Sequence, residues 1–274
     1  EDLTWEQIRI AGEMQPKVIV CENVKGLTMD YARDHLNRMV NDFEANGYTT
    51  VWKVLKGNHY GVPQKRERVF ILSVRNDVLD DIDMPFMCMG GIYPDPNTET
   101  SPTIRDAIED IQNDPDNQKE AEELCASMKK GAKYKWLKRL PKNPETYVSV
   151  GDDIVGPWYD KVIAHRSKWG KSVPERKSSF YQSRRVGWDH PSHTLSEQGL
   201  QTSLAVHLHP CEDRVYTTKE AARIQTLPDD YKFTGTLNEN LARIGLMVAP
   251  LCMKYLIDNI YAQVLKPYHE KNNS

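Results

Sequence analysis

The sequence predicts an α/β protein whose single layer is interrupted by an inserted, irregular domain. Three observations carry that expectation. Residues 1–75 alternate amphipathic helical stretches with short apolar strands; residues 76–187 lose the rhythm and gain Pro and Gly; from about Pro191 regular order returns and ends in a long apolar helical run. The expected division is therefore 1–75 with 190–274 for the layer, and 76–189 for the insert.

Taken in order, "LTWEQIRIAGEMQ" has apolar residues at 3, 5, 8, 10 and 11, a helical spacing with Thr4 as a plausible cap, and Pro16 closes it. "KVIVCEN" is short and continuously apolar, the pattern of a parallel strand buried on both faces. "MDYARDHLNRMVNDFEANGY" places Leu36, Met39, Val40 and Phe43 on one helical side and stops at Gly47. "YTTVWKVLKG" and "RVFILSVRN" then read as two strands of a hairpin. In the insert, "SPTIRDAIEDI" is the one clear helix start. Beyond it, "TTKEAARIQTLP" predicts a short helix capped by Thr217 or Thr218 with Glu220 in its first turn, and "VAPLCMKYLIDNIYAQVL" predicts an apolar helix that packs back on the first layer.

Composition narrows the function classes. With 274 residues, 39% hydrophobic and 9% aromatic, the chain has the material for a globular core. No uninterrupted apolar run reaches the eighteen or so residues of a membrane span, and no membrane partner is expected. Five cysteines, an odd number without metal-ligand spacing, argue for a reducing intracellular compartment (cytoplasm, or nucleus in a eukaryote) and against structural zinc. The net charge of −3 conceals a strong asymmetry. Residues 76–128 carry 14 acidic and 2 basic side chains, whereas 129–190 carry 15 basic and 6 acidic. A basic block interleaved with Tyr134, Trp136, Trp158, Tyr159, Trp169 and Trp188 suits phosphate neutralisation and stacking, and equally suits a solvated lysine-rich surface. Lys133, Lys135, Lys138, Arg139, Arg184 and Arg185 are its candidate DNA contacts.

Two short stretches carry chemistry. "VIVCENVKGL" ends an apolar strand in Glu22 and Asn23, where open α/β sheets gather functional side chains. "GVPQKRERVF" alternates Gln64, Arg66 and Arg68, which on a continuous strand project from one side. Salt bridges to nearby acids would account for the arginines; so would a shared anion or base edge. An acid and a guanidinium converging on one pocket, facing each other across the width of a pyrimidine ring, can grip the Watson–Crick edge of an extruded cytosine. The acid serves N3 and the exocyclic amine, and the guanidinium serves O2.

At these residues the sequence resembles the DNA cytosine-5 methyltransferases: "ENV" at 22–24, "QKRER" at 64–68, "HTLSEQG" from His193 and "DRVYTTKEAARIQTLPDDYKFTG" through Gly235 look like that family's later motifs in their order. The resemblance implies a partial Rossmann-like methyltransferase sheet with an inserted target-recognition domain, S-adenosylmethionine as methyl donor, and double-stranded DNA as partner. It implies that Glu22 contacts N3 and the amine of a flipped cytosine, that Arg68 holds O2, and that Arg66 braces the pocket or a phosphate. Asn23 would fix the strand-end loop, Gln64 would lie in the same hairpin, and Arg214 would anchor the inserted domain to the catalytic one. Two departures stand out. The family's Pro-Cys nucleophile and Gly-rich cofactor motif are not among the residues of this chain, where the lone Pro-Cys, Pro210-Cys211, follows the variable segment. The last motif reads "IGLMVAPL", with Leu246 and Met247 where Asn and a small residue are usual, so Leu246, Met247 and Val248 are the candidate cofactor contacts. The expectation is a cytosine-5 methyltransferase part that becomes competent with an N-terminal half, in the same gene or a second subunit. The alternative is a non-catalytic, methyltransferase-like DNA-binding or regulatory subunit.

Overall fold

A computed structural model describes residues 2–129, 137–138, 140–149, 184–196 and 207–273. The chain divides into two compact units: Glu1–Tyr60, Glu67–Thr98 and Leu251–Ser274 form the first, Gly61–Arg66 and Glu99–Pro250 the second. The chain thus returns to the first unit at Leu251, and not near residue 190, because the ordered motifs after 190 pack with the insert.

In the first unit, α1 (Asp2–Met14), β1 (Val18–Val24), α2 (Asp30–Ala45), β2 (Tyr48–Lys56) and β4 (Glu67–Arg75) follow the expected order. The short β3 (Gln64–Lys65) precedes β4 but belongs to the second unit. Helix α1 begins at or before Asp2, so Thr4 lies inside it and is not its cap. Among the described residues the sheet has the order β1-β4-β2, both pairings antiparallel. The parallel, doubly buried strand expected at 18–24 is therefore not found: burial alternates along β1, with Ile19 and Cys21 inward. A short apolar run does not specify the direction of its neighbour. Ile19, Cys21, Val69 and Ile71 pack with Ile8 and Ala11 of α1 and Leu36, Met39 and Phe43 of α2. Gly47 ends α2 at φ +86°, a left-handed conformation that favours glycine, and its N–H closes on the Glu44 carbonyl. After β4 come α3 (Asn76–Asp81) and a 3₁₀ segment, Phe86–Ile92, that packs on β2. The chain's last elements, α8 (Pro250–Ile260), a π-helical turn over Tyr261–Leu265 and α9 (Lys266–Asn272), bury Cys252, Leu256, Ile260 and Val264.

The second unit contains α4 (Ile104–Ile108), α5 (Pro115–Lys129), β5 (Tyr147–Ser149), β6 (Arg184–Val186), β7 (Ser192–His193), β8 (His207–Leu208), α6 (Thr218–Ile224) and α7 (Leu237–Leu246). Strand β3 pairs in parallel with β7, and the order β5-β6-β8 makes a second small sheet. Its core joins Ile104, Ile108 and Ile111 to Val186, Leu195, Tyr216, Ala221, Ile224, Leu241 and Ile244. An 18-residue window within 237–272 has the mean hydropathy, 1.3, of a membrane span, yet the helix is interrupted at Met247–Ala249 before α8 begins.

Candidate active site

Glu22 and Arg68 reach the same face of the first unit's sheet for a simple reason of register. Val24 lies opposite Arg68 and Glu22 opposite Phe70, so the two charged residues are diagonal neighbours on adjacent antiparallel strands. Cys21, one residue from Glu22, points to the other face and into the α1–α2 core. Arg68 Nε stands 2.8 Å from Glu22 Oε1, with the two side chains 18% and 21% exposed. The approach is off the N–H axis, and Oε1, shielded from solvent, has no well-aligned hydrogen bond. Arg68 Nη1 donates to the Glu67 carbonyl at 2.8 Å. Burial draws the guanidinium's pKa below its ordinary value, and Glu22 offsets part of that. The pair touches, with no ring-wide gap between its members. Cytosine carries its amine, N3 and O2 on one continuous edge, so adjacent groups on one face read it without needing to oppose each other.

Gln64, Arg66 and Arg68 do not share one face. The strand is interrupted at Arg66, between β3 and β4. Arg66 is buried in the second unit, where Nη1 donates to the carbonyls of Leu195 at 2.9 Å and Gly245 at 3.2 Å, and Nη2 to Gly245 at 3.2 Å. Its described contacts are backbone carbonyls, a different use from bracing a phosphate. Gln64 is also buried: its Oε1 accepts from Leu195 N and its Nε2 donates to Gln225 Oε1. Asn23 Oδ1 accepts from Val24 N at 2.8 Å, holding the end of β1 in a local turn.

Arg214's described contacts lie within the second unit. It donates to both Glu220 oxygens, at 2.6 and 2.9 Å, and to Glu212. Burial alone would raise the Glu220 carboxyl, but Arg214's hydrogen bonds and charge outweigh it and bring the pKa down to about 2. Glu220 also accepts from Thr217 N, completing the capping box that starts α6.

Of the candidate DNA contacts, Lys133, Lys135 and Arg139 lie outside the described residues. Lys138 is exposed and Arg184 half-buried. Arg185 is a correction: wholly buried, it donates to the carbonyls of His209 and Glu212 and to Asp213 Oδ1, so its charge is consumed inside the unit. Nothing in a basic run distinguishes a buried structural arginine from an exposed one.

Leu246 and Met247 close α7; Leu246 is 65% exposed, and the carbonyls on either side of it, Gly245 and Met247, are engaged by Arg66 and Gln225. The segment 246–248 therefore presents apolar side chains and no side-chain amide, a lining that would meet S-adenosylmethionine by packing alone. Gln225 is a functional candidate that only the structure brings out; its one mark in the sequence is its place in "ARIQTLP". Among the thiols, burial pushes Cys21 and Cys252 up to about 12, so neither supplies a thiolate near neutral pH. Cys211 is exposed and accepts from the Trp188 indole at 3.1 Å, within the second unit. No cluster of metal-ligating residues occurs among the described residues.

The profile of the C-5 cytosine-specific DNA methylase family matches residues 1–262. The chain is 31% identical over 278 residues to the type II methyltransferase M.Eco47II of Escherichia coli, covering 98% of the chain and 59% of that protein. It is 32% identical over 251 residues to M.PspPI of a Psychrobacter strain, covering 89% and 53%. The chain thus spans little more than half the length of these relatives. A solved E. coli prophage protein described as a DNA modification methyltransferase superposes with TM-score 0.57 at 20% identity, over 94% of this chain and 72% of that one, a likeness of α/β fold. With a family profile running over residues 1–262, almost the length of the chain, the chain belongs to the C-5 cytosine-specific DNA methylase family.

Proposed function

We propose that this chain is the part of a cytosine-5 DNA methyltransferase that binds duplex DNA and holds a flipped cytosine. The Glu22–Arg68 pair carries the reading. A carboxyl and a guanidinium side by side on one sheet face match the amine–N3–O2 edge of cytosine, and the base would supply the aligned hydrogen bond that Oε1 lacks. Glu22 bonded at N3 withdraws electron density from the ring, which favours addition at C6; Arg68 at O2 steadies the charge that develops. S-adenosylmethionine, the methyl donor of this family, supplies the electrophilic methyl group when bound. Leu246, Met247 and Val248 would pack against it.

The nucleophile for C6 is expected from a complementary methyltransferase half, covalently joined or separate. The family's Pro-Cys loop is not among these residues, and the buried thiols at 21 and 252 sit too high to serve. Strand β1, which among the described residues pairs only with β4, offers an edge to such a complement. The bacterial relatives favour a cytoplasmic restriction–modification setting over a nuclear one.

The test is transfer of labelled methyl groups to duplex DNA by the complete methyltransferase containing this chain. Glu22→Gln should lower the rate by about 10²-fold or more, the scale of a lost acid–base partner. Retention of the rate within a few-fold would overturn the assignment. The apolar Leu246 and Met247 favour a second reading, a non-catalytic DNA-binding subunit; tight DNA binding with no methyl transfer in the complete assembly would establish it.

A further inference from the structure

Two buried bridges in the second unit begin at one residue and end on either side of another. In the first, Leu195 N donates to Gln64 Oε1 at 3.1 Å, Gln64 Nε2 donates to Gln225 Oε1 at 2.7 Å, and Gln225 Nε2 donates to the Met247 carbonyl at 2.8 Å. In the second, Arg66 Nη1 donates both to the Leu195 carbonyl at 2.9 Å and to the Gly245 carbonyl at 3.2 Å. Both backbone groups of Leu195 are used, and so are the two carbonyls that flank Leu246. Gln64 and Gln225 are fully buried.

The amide relay has one possible polarity. Its first group, a backbone N–H, can only donate, and its last, a backbone carbonyl, can only accept. Each glutamine between them must accept with its oxygen and donate with its nitrogen, so the orientation of both amides is dictated by the ends of the chain of bonds. Neither Glu nor Asn can substitute: a carboxylate accepts at one side but has nothing to donate at the other, and Asn is one methylene short.

Gln225 is brought into line by an unusual helix end. It is the C-terminal cap of α6, followed by Thr226 at φ +64°. Thr226 N closes on the Arg223 carbonyl and Leu227 N on the Ala222 carbonyl, the paired bonds of a Schellman motif. Glycine is the usual residue there, and a β-branched residue in the left-handed region is strained. The cap holds nonetheless, and it leaves the side chain of the residue before it in the buried relay.

We propose that Gln225 is a positioning residue: with Gln64 and Arg66 it clamps the backbone on both sides of Leu246 and thereby sets the surface that 246–248 presents to S-adenosylmethionine. The inference rests on the methyltransferase reading above and deepens it. Where a side-chain amide is absent from this turn, cofactor affinity depends on the backbone path, and the path is set from behind by these three side chains.

The experiment has two arms. In the full chain, Gln225→Glu cuts the relay at Met247, Gln64→Glu cuts it at Gln225, and Gln225→Met removes the amide with little change in volume. Hydrogen exchange of the amides at 246–249 should speed up roughly tenfold in each, the cost of one buried hydrogen bond, while α4 is unchanged. The double variant Gln64→Met/Gln225→Met should add little to either single one, because a relay once cut cannot be cut again. In the complete methyltransferase, the same variants should raise KM for S-adenosylmethionine roughly tenfold and leave KM for DNA unaltered. Unchanged exchange at 246–249 in a folded Gln225→Met protein would overturn the clamp. Faster exchange with an unmoved KM for S-adenosylmethionine would overturn its role toward the cofactor. A wild-type enzyme that takes up no S-adenosylmethionine would instead sink the methyltransferase reading, and the cofactor role with it, while exchange would still judge the clamp.

Discussion

Glu22 and Glu220 are both carboxylates bound to arginine, and their surroundings give them different work. Glu22 keeps a shielded oxygen without an aligned donor, beside Arg68, in a partly open position. Glu220 is fully buried and saturated by Arg214, Thr217 N and Gln112. A saturated carboxylate has nothing left to offer a ligand; one with an unmet oxygen has. Glu220 titrates near 2 in the folded state against an ordinary 4.5, so its contribution is complete above pH 4.5 and is lost as pH falls toward 2. That difference corresponds to roughly 3 kcal/mol. Urea midpoints of the chain should therefore drop across that window, and Glu220→Gln should make the drop smaller at the cost of lower stability at pH 7. His209 acts higher on the scale. Burial lowers it to about 4, so it folds as the neutral ring; stability is complete above its ordinary 6.5 and declines as pH falls through 6.5 toward 4. A melting series from pH 7 to 4 that stayed flat would contradict this assignment.

At the scale of elements, ends were easier to read than interiors. The capping box of Thr217 and Glu220 is written in the sequence and found in the structure, and Thr217→Ala should cost about 1–2 kcal/mol by chemical denaturation. Thr226 is the opposite case, since no local rule places a β-branched residue at a left-handed helix end. Thr226→Gly should raise stability by about 1 kcal/mol, the strain relieved less the added freedom of the unfolded chain. A lower unfolding midpoint would show that other contacts of Thr226 outweigh its backbone strain. Helix α5 went unseen although Asn117, Ala121, Leu124 and Met128 make a buried stripe at helical spacing. Its first member is polar, satisfied by the distant Thr217 hydroxyl and Glu220 carboxylate and by the Ile111 carbonyl, and its exposed faces are crowded with acids. The break at Arg66 was hidden for a related reason. Period-two spacing is a statement about an unbroken strand, and Gln64 and Arg66 find partners 129 to 179 residues away along the chain.

For the whole molecule, charge asymmetry is the property with the clearest consequence. The acidic run of 76–128 is partly consumed internally, through Asp110 on Arg223 and Asp114 on Lys219. If the following basic block meets DNA phosphates, binding should weaken with salt in proportion to the phosphates neutralised. Replacing Lys133, Lys135, Lys138 and Arg139 together by Gln should flatten the plot of log affinity against log salt by about three to four units of slope, measured by gel shift on cytosine-containing duplex. An unaltered slope would assign the phosphate contacts elsewhere. Arg185 is left out of that set because it is wholly buried and held by the His209 and Glu212 carbonyls and by Asp213.

By itself the sequence determined the alternation of helices and strands in 1–75, the Thr217 capping box, the family resemblance and the pairing of Glu22 with Arg68 as a candidate cytosine grip. These are local or motif-borne properties, fixed by periodicity and by the order of a few residue types. The tertiary structure alone decided that β1 runs antiparallel to its neighbour, that Arg66 and Arg185 are spent on buried carbonyls, that the chain re-enters its first unit at Leu251, and that Gln64 and Gln225 meet. Each depends on which groups become buried together, and a buried donor is committed to whatever acceptor packing brings within 3 Å of it, however far along the chain that acceptor lies.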